Sequence, residues 1–218
     1  MSNITVLLLG ENSIHDFDEK APHIERALGD DAEVTVSTDI SALESLAEYD
    51  VVVDYLTDSR LSSAAVDGLR SFVADGGGYL PIHCAADLTS YIDDDGEFTS
   101  RETPHPELRE LVGGHFVSHP EISTFTVTMT DSTHPVVDAL DDFDVLDEPY
   151  QVDVDEDRVR VLARMDHPDL DEHYPVVWVH EYGNGRICYS SLGHTDEALD
   201  HESHHELLTN AVRWVAGA

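Results

Sequence analysis

The 218-residue chain has almost no positive charge. It carries 11 basic residues, of which Lys20 is the sole lysine, against 46 Asp and Glu, for a formal charge of −35. Nucleic-acid surfaces need clustered Lys and Arg, so DNA and RNA are set aside as partners. Cysteine is scarce: Cys84 and Cys188 stand far apart, which fits neither a disulfide framework nor a Cys-based zinc site. No apolar run is long enough to span a bilayer, so no membrane role is expected. The N-terminal Met1 to Gly10 lacks the basic region of a leader peptide, and a cytoplasmic protein is the expectation. No Pro/Ser/Gly-rich linker and no repeat divides the sequence, so residues 1–218 read as a single domain. A phosphate-cradling glycine loop and a serine nucleophile elbow are also missing.

What is present argues against disorder. Apolar residues make up 41 % of the chain and fall in periodic runs. Acidic residues are spread throughout, as in Asp93-Asp94-Asp95 and Asp141-Asp142. The reading is a folded domain with an acidic surface adapted to high salt, as in a halophile.

Ile4 to Leu9 is a continuous apolar run, the pattern of a central parallel strand. Residues 19 to 29 have helical spacing and stop at Gly29. Val34 to Ser37, Val51 to Leu56 and Tyr79 to His83 read as strands. Ser41 to Glu48 and Ser62 to Ala74 read as helical, the latter ended by Gly76-Gly77-Gly78. This alternation argues for a parallel sheet with helices on both faces. Beyond it, Pro106 to Val112 is a short helix, Ser123 to Met129 alternates as a strand, and Val159 to Met165 is another. Val176 to Glu181 and Arg186 to Ser191 flank Tyr182-Gly183-Asn184-Gly185, read as a hairpin with an Asn-Gly turn. Pro135 is placed to start a helix over Val136 to Leu140. A last helix covers Glu202 to Val215. The sheet is expected to be mostly parallel, with an antiparallel edge.

Fourteen histidines are present, several beside Gly or Pro at strand ends. Gly114-His115, His119-Pro120, His134-Pro135 and Gly193-His194 have this form, which suits functional loops on a rigid scaffold. His201-Glu202-Ser203-His204-His205 fits a zinc-protease pattern, but it opens the terminal helix and lacks a downstream third ligand, so a protease is rejected.

Taken together, His15-Asp16, Gly76 to Ala85, Gly113-Gly114-His115-Phe116 with His119-Pro120, His134-Pro135 with Phe143, Asp147-Glu148-Pro149-Tyr150, Pro175 to Trp178, and Tyr182 to Arg186 through Leu192-Gly193-His194-Thr195 carry a resemblance. The chain resembles the trehalose-utilisation ThuA-like family. That resemblance implies an α/β fold, a flavodoxin-like three-layer sandwich of the class I glutamine amidotransferase-like type. It also implies carbohydrate metabolism, with trehalose or a keto-disaccharide as the small-molecule sugar substrate. A lyase, isomerase or hydrolase step would each use the same groups, in acid–base or metal-assisted chemistry at the strand C-termini.

Alignment with the amidotransferase elbow puts His83 at the nucleophile position and Cys84 one residue later. His83, His194 and Glu148 are therefore the catalytic candidates. His15, Asp16 and Tyr150 are candidates for substrate binding. Trp178 has two readings, a core residue or a platform for a sugar face, and stands with them. His115, His119 and His134 are the candidate ligands of a divalent metal such as zinc. Two alternatives stay open: a cysteine-dependent amidotransferase or hydrolase using Cys84, and a non-catalytic binding module. Self-association into a homo-oligomer is a further option.

So high a charge repels itself when unscreened. The thermal unfolding midpoint is expected to fall steeply when KCl is reduced from molar to millimolar concentrations. A midpoint unchanged by dialysis into dilute buffer would refute the reading.

Overall fold

The computed structural model describes residues 3–57 and 60–217. The first half alternates strands and helices in chain order: β1 (Ile4–Gly10), α1 (Phe17–Ala27), β2 (Ala32–Ser37), β3 (Val51–Tyr55), α2 (Ser63–Ala74) and β4 (Gly78–Pro81). A small hairpin, β5 (Ser90–Ile92) and β6 (Phe98–Ser100), leads to α3 (Pro106–Val112) and β7 (Gly114–Ser118). Next come β8 (Ser123–Met129), β9 (Phe143–Asp147), β10 (Gln151–Val154), β11 (Arg160–Asp166), β12 (Pro175–Tyr182) and β13 (Gly185–Ser190). The chain closes with α4 (Asp196–Leu199) and α5 (Glu202–Val215).

Nine strands form one sheet in the order β2-β1-β3-β4-β13-β12-β11-β8-β9. β2, β1, β3, β4 and β13 run parallel, and from β13 onward each neighbour reverses direction. The continuous apolar run of β1 is explained by burial on both faces. Val6 and Leu8 enter the core beneath α1 and α5, while Leu7 and Leu9 enter the core beneath α2 and α3. Along β2 the positions are half-buried or exposed, none buried, because it is an edge strand. No helix among the described residues is long and apolar enough to cross a membrane.

Several local expectations are revised. Ser41 to Glu48 forms only a short 3-10 turn, Ile40–Glu44. Val136 to Leu140 makes turns and no helix, with Ala139 at φ +68°. Five residues with two adjacent β-branched side chains are too few to offset helix nucleation. The β12–β13 hairpin turns on Gly183-Asn184, with Tyr182 paired to Gly185. Of the two turn residues only Gly183 has a positive φ, at +61°, the pattern of a II′ turn with glycine first and not of an Asn-Gly turn. A Cβ on Gly183 would also lie 2.6 Å from the Ala74 backbone.

The protease-like histidines serve the terminal helix. The His201 ring caps α5 by accepting from the Ser203 amide at 3.2 Å. His204 is fully buried, donating from Nδ1 to the Ala198 carbonyl at 2.9 Å, with Nε2 at 3.3 Å from the Ser190 hydroxyl. Burial drives its pKa down to about 4, against the opposing pull of the Ala198 carbonyl. The folded state therefore binds this proton less tightly than the unfolded chain does. As pH falls from 7 through 4 the unfolded chain takes up the proton first, and stability is lost. His204 is expected to contribute up to roughly 3 kcal/mol of acid lability over that interval. Thermal midpoints of the parent and a His204→Gln variant, compared across pH 4–7 at fixed salt, check this: the variant's dependence should be shallower.

Candidate functional site

Four neighbouring parallel strands end at the same edge of the sheet, where reactive groups of open α/β sheets collect. His15 follows β1, Thr57 follows β3, His83 follows β4, and Ser191 to His194 follow β13. β9 runs in the same sense, so Asp147 and Glu148 also arrive at this edge.

His83 sits at the strand exit with φ +47°, a left-handed conformation that costs a non-glycine residue about 1–3 kcal/mol. Its surroundings hold it there. Its carbonyl accepts from the Tyr189 hydroxyl at 2.9 Å, and its Nδ1–H donates to the Ser191 carbonyl at 2.9 Å. The Ser191 carbonyl can only accept, so Nδ1 carries a proton. Nε2 lies 3.1 Å from the Tyr150 hydroxyl, and the Tyr150 ring stacks on the imidazole at 4.4 Å between centroids. No surface of His83 is exposed.

Glu148 lies between imidazoles. Oε2 is 3.5 Å from His83 Nε2 and 3.2 Å from His194 Nδ1, and Oε1 is 3.6 Å from His119 Nε2. Burial opposes ionisation of this carboxyl, but contacts with His194 and His83 outweigh it and hold the pKa below the usual carboxylate range. His15 anchors Nδ1 on the Thr57 hydroxyl at 2.8 Å. Burial, then the neighbouring His83 and His194, lower its pKa to about 3, so this ring is neutral at physiological pH. The rings of His15, His83 and His194 meet edge to face, with centroids 5.3–5.5 Å apart.

Asp147 organises the opposite wall. Oδ2 accepts from the Gly193 amide at 2.7 Å, and Oδ1 accepts from the His194 and Thr195 amides at 3.0 Å each. Burial raises its pKa while His83 and these amides pull it down. The Tyr55 hydroxyl donates to the Gly193 carbonyl at 2.8 Å. Gly193 has φ +135°, and a Cβ there would press on Ile82 and Leu199.

Of the sequence candidates, the structure gathers His83, His194, Glu148, His15, Tyr150 and His119. It separates the rest. Trp178 is fully buried, its indole N–H donating to the Val112 carbonyl at 2.8 Å, and it faces the core beside Tyr189, away from the cleft. Asp16 caps α1 by accepting from the Glu19 amide at 3.2 Å. His115 and His134 do not join His119 in a metal site. His115 Nδ1 accepts from Arg109 at 3.2 Å and lies 3.7 Å from Asp153. β8 runs antiparallel to the central strands, so its C-terminal end delivers His134 to the far edge of the sheet, against Trp214. Cys84 is fully buried in the core; burial raises its thiol pKa well above the ordinary value, and a short 3-10 turn, His83–Ala86, takes the place of an activating helix. Thr57, Tyr189 and Ser191 carry no motif and were not legible as site residues. Asp147 was quoted beside Glu148, but nothing in sequence marks it as the clamp of the Gly193 loop. A broad groove of about 700 Å³ lies at the other edge, under Asp50, Gly76 and Gly77, and includes none of the clustered histidines.

The sequence profile of the ThuA family, described as trehalose utilisation, matches residues 5–215. The chain belongs to the ThuA family. Solved structures agree on the fold. A ThuA-like protein from Bacteroides uniformis is 26 % identical, with a TM-score of 0.76, covering 97 % of this chain and 91 % of that one. A ThuA-like protein from Parabacteroides merdae is 21 % identical, with a TM-score of 0.72, covering 98 % and 90 %. A cytoplasmic protein from Salmonella typhimurium is 17 % identical, with a TM-score of 0.72, covering 97 % and 99 %. No curated protein matches the chain.

Within this ThuA-family site, Asp147→Ala would leave the Gly193, His194 and Thr195 amides without an acceptor. The expected loss is at least about 3 kcal/mol, from buried donors costing roughly 1–3 kcal/mol each. Chemical denaturation at constant salt measures it, and a loss below about 1 kcal/mol would contradict the clamp.

Proposed function

We propose that this ThuA-family protein acts on a carbohydrate, a disaccharide such as trehalose or its keto derivative, by proton transfer in the cleft at the strand C-termini. The observation that carries the reading is the Glu148 carboxylate set among His83, His194 and His119. The family's description supplies the substrate class.

Glu148 is ionised, which is the form that accepts a proton. A proton on carbon beside a sugar carbonyl, or on a sugar hydroxyl, is a fitting donor. The imidazoles facing it are placed to hydrogen-bond a substrate oxygen on which charge develops. The exposed groups do the meeting: the side chains of His194 and His119 are 29 % and 36 % exposed. His83, wholly buried, acts as a positioning residue through Tyr150 and Glu148. Such an arrangement serves elimination or isomerisation next to a carbonyl, and we favour these over glycoside hydrolysis, which calls for two working carboxyl groups, because Asp147 is committed to three backbone amides. The parallel order β2-β1-β3-β4 followed by β13 supports the flavodoxin-like, amidotransferase-type description of the sandwich.

A screen of disaccharides and keto-disaccharides in high salt tests the reading. Glu148→Gln is expected to lower turnover by roughly 10²–10⁴-fold, while thiol alkylation of the native protein leaves it intact. Full turnover in the Gln variant, or loss on alkylation, would overturn the mechanism.

A further inference from the structure

We propose that His15, His83 and His194 form a binding site for one divalent cation of the zinc class, with Glu148 beside its open coordination position. The proposal rests on the proton-transfer reading and deepens it: a metal ion supplies the positive charge opposite Glu148.

Geometry comes first. Each of the three imidazoles offers one nitrogen, and these nitrogens all lie within 4.8 Å of one another. Zinc–nitrogen bonds of about 2.1 Å in tetrahedral array place ligand nitrogens about 3.4 Å apart. Closing the remaining gap takes small ring rotations. His15 and His194 sit at the half-buried rim, where such rotations are open to them, and His83 is the fixed inner ligand.

The outer partners match what metal-binding imidazoles need. A ligating histidine usually places its second ring nitrogen on a carbonyl, carboxylate or other oxygen, which fixes the tautomer and the ring. His83 Nδ1–H is held by the Ser191 carbonyl and His15 Nδ1 by the Thr57 hydroxyl. His15 is thereby left with Nε2 for the cation, while His83 Nε2 carries no proton and accepts from the Tyr150 hydroxyl at 3.1 Å, a contact the cation would displace.

The third point is a surplus of electron pairs. His83 spends its Nδ1 proton on Ser191, and its other nitrogen faces the Glu148 carboxylate at 3.5 Å. His194 Nδ1 is buried 3.2 Å from the same carboxylate, yet makes no aligned hydrogen bond. Lone pairs and a carboxylate converge with few protons between them. A cation resolves that repulsion.

Three protein ligands and an adjacent carboxylate describe an open site. The fourth position would take a carbonyl or hydroxyl oxygen of the sugar, with Glu148 within reach of the neighbouring proton.

The test uses the full chain, chelator-treated and kept in high salt, titrated with Zn²⁺ and with Co²⁺ alone. The expected result is binding of one ion per chain, with the visible absorption of tetrahedral Co²⁺. His15→Gln and His194→Gln should each weaken binding by more than the roughly 10–100-fold typical of losing an outer partner, and Thr57→Val by about 10-fold. The control His173→Gln, at a side chain 64 % exposed, should bind as the parent does. Binding that lacks one-to-one stoichiometry, or that survives intact in the His15 and His194 variants, would overturn the site. Turnover is read separately. If neither ion binds while Glu148→Gln still abolishes turnover, the metal site falls and the proton-transfer reading stands. If the ions bind as expected and no sugar is consumed, the site stands and that reading falls.

Discussion

The three hydrogen bonds from the Gly193–Thr195 amides to Asp147 are the contact on which the rest of the cleft depends. Asp147 ends β9, the outermost antiparallel strand, while Gly193 follows β13 beside the parallel half. One carboxylate therefore joins segments that the sheet order keeps apart. Its charge is tolerable in the interior because three backbone dipoles point at it. The amide of His194 is one of the three, so the clamp fixes the backbone that carries that imidazole. The next residue, Glu148, is delivered against the imidazoles by the same contact.

His83 shows a second constraint of the same kind. A left-handed conformation at a non-glycine residue persists only when its surroundings over-determine it. Here the carbonyl, Nδ1, Nε2 and the ring face are each engaged, by Tyr189, Ser191 and Tyr150. Strain at a strand exit, sealed by hydrogen bonds from two other strands, is how a rigid sheet aims one side chain at a chosen point.

Much of this was legible in the sequence, and the reasons for the rest are physical. Continuous apolar runs such as Ile4 to Leu9 mark strands buried on both faces, and α5 was announced by its apolar periodicity. His194 and Glu148 were legible beside Gly193 and Pro149, and His83 through its place at the end of the glycine-led strand that aligns with the amidotransferase elbow. Metal-ligand grouping was not, because it depends on strand direction. His134 looked equivalent to His194 until the antiparallel course of β8 carried it to the other edge. His15, set down as a substrate contact, lies within the histidine cluster, since only β3 separates β1 from β4. Thr57 and Ser191 act through one hydroxyl and one backbone carbonyl, which no residue pattern announces. Trp178 kept two readings because hydrophobicity alone does not say which side of a strand faces a cleft.

The site is assembled from both ends of the chain. His83 is held by a carbonyl 108 residues further on, and Tyr55 reaches a carbonyl 138 residues away. Contacts of such separation form late, after the loops between them have closed. The parallel strands β1, β4 and β13 carry His15, His83 and His194, and β9 of the antiparallel half brings Asp147 and Glu148 to them. The carboxylate–histidine site is thus a marker of the finished topology: the imidazoles meet only when β13, the last strand in the sequence, has joined β4, and the carboxylates reach them only when the two halves of the sheet have zipped together.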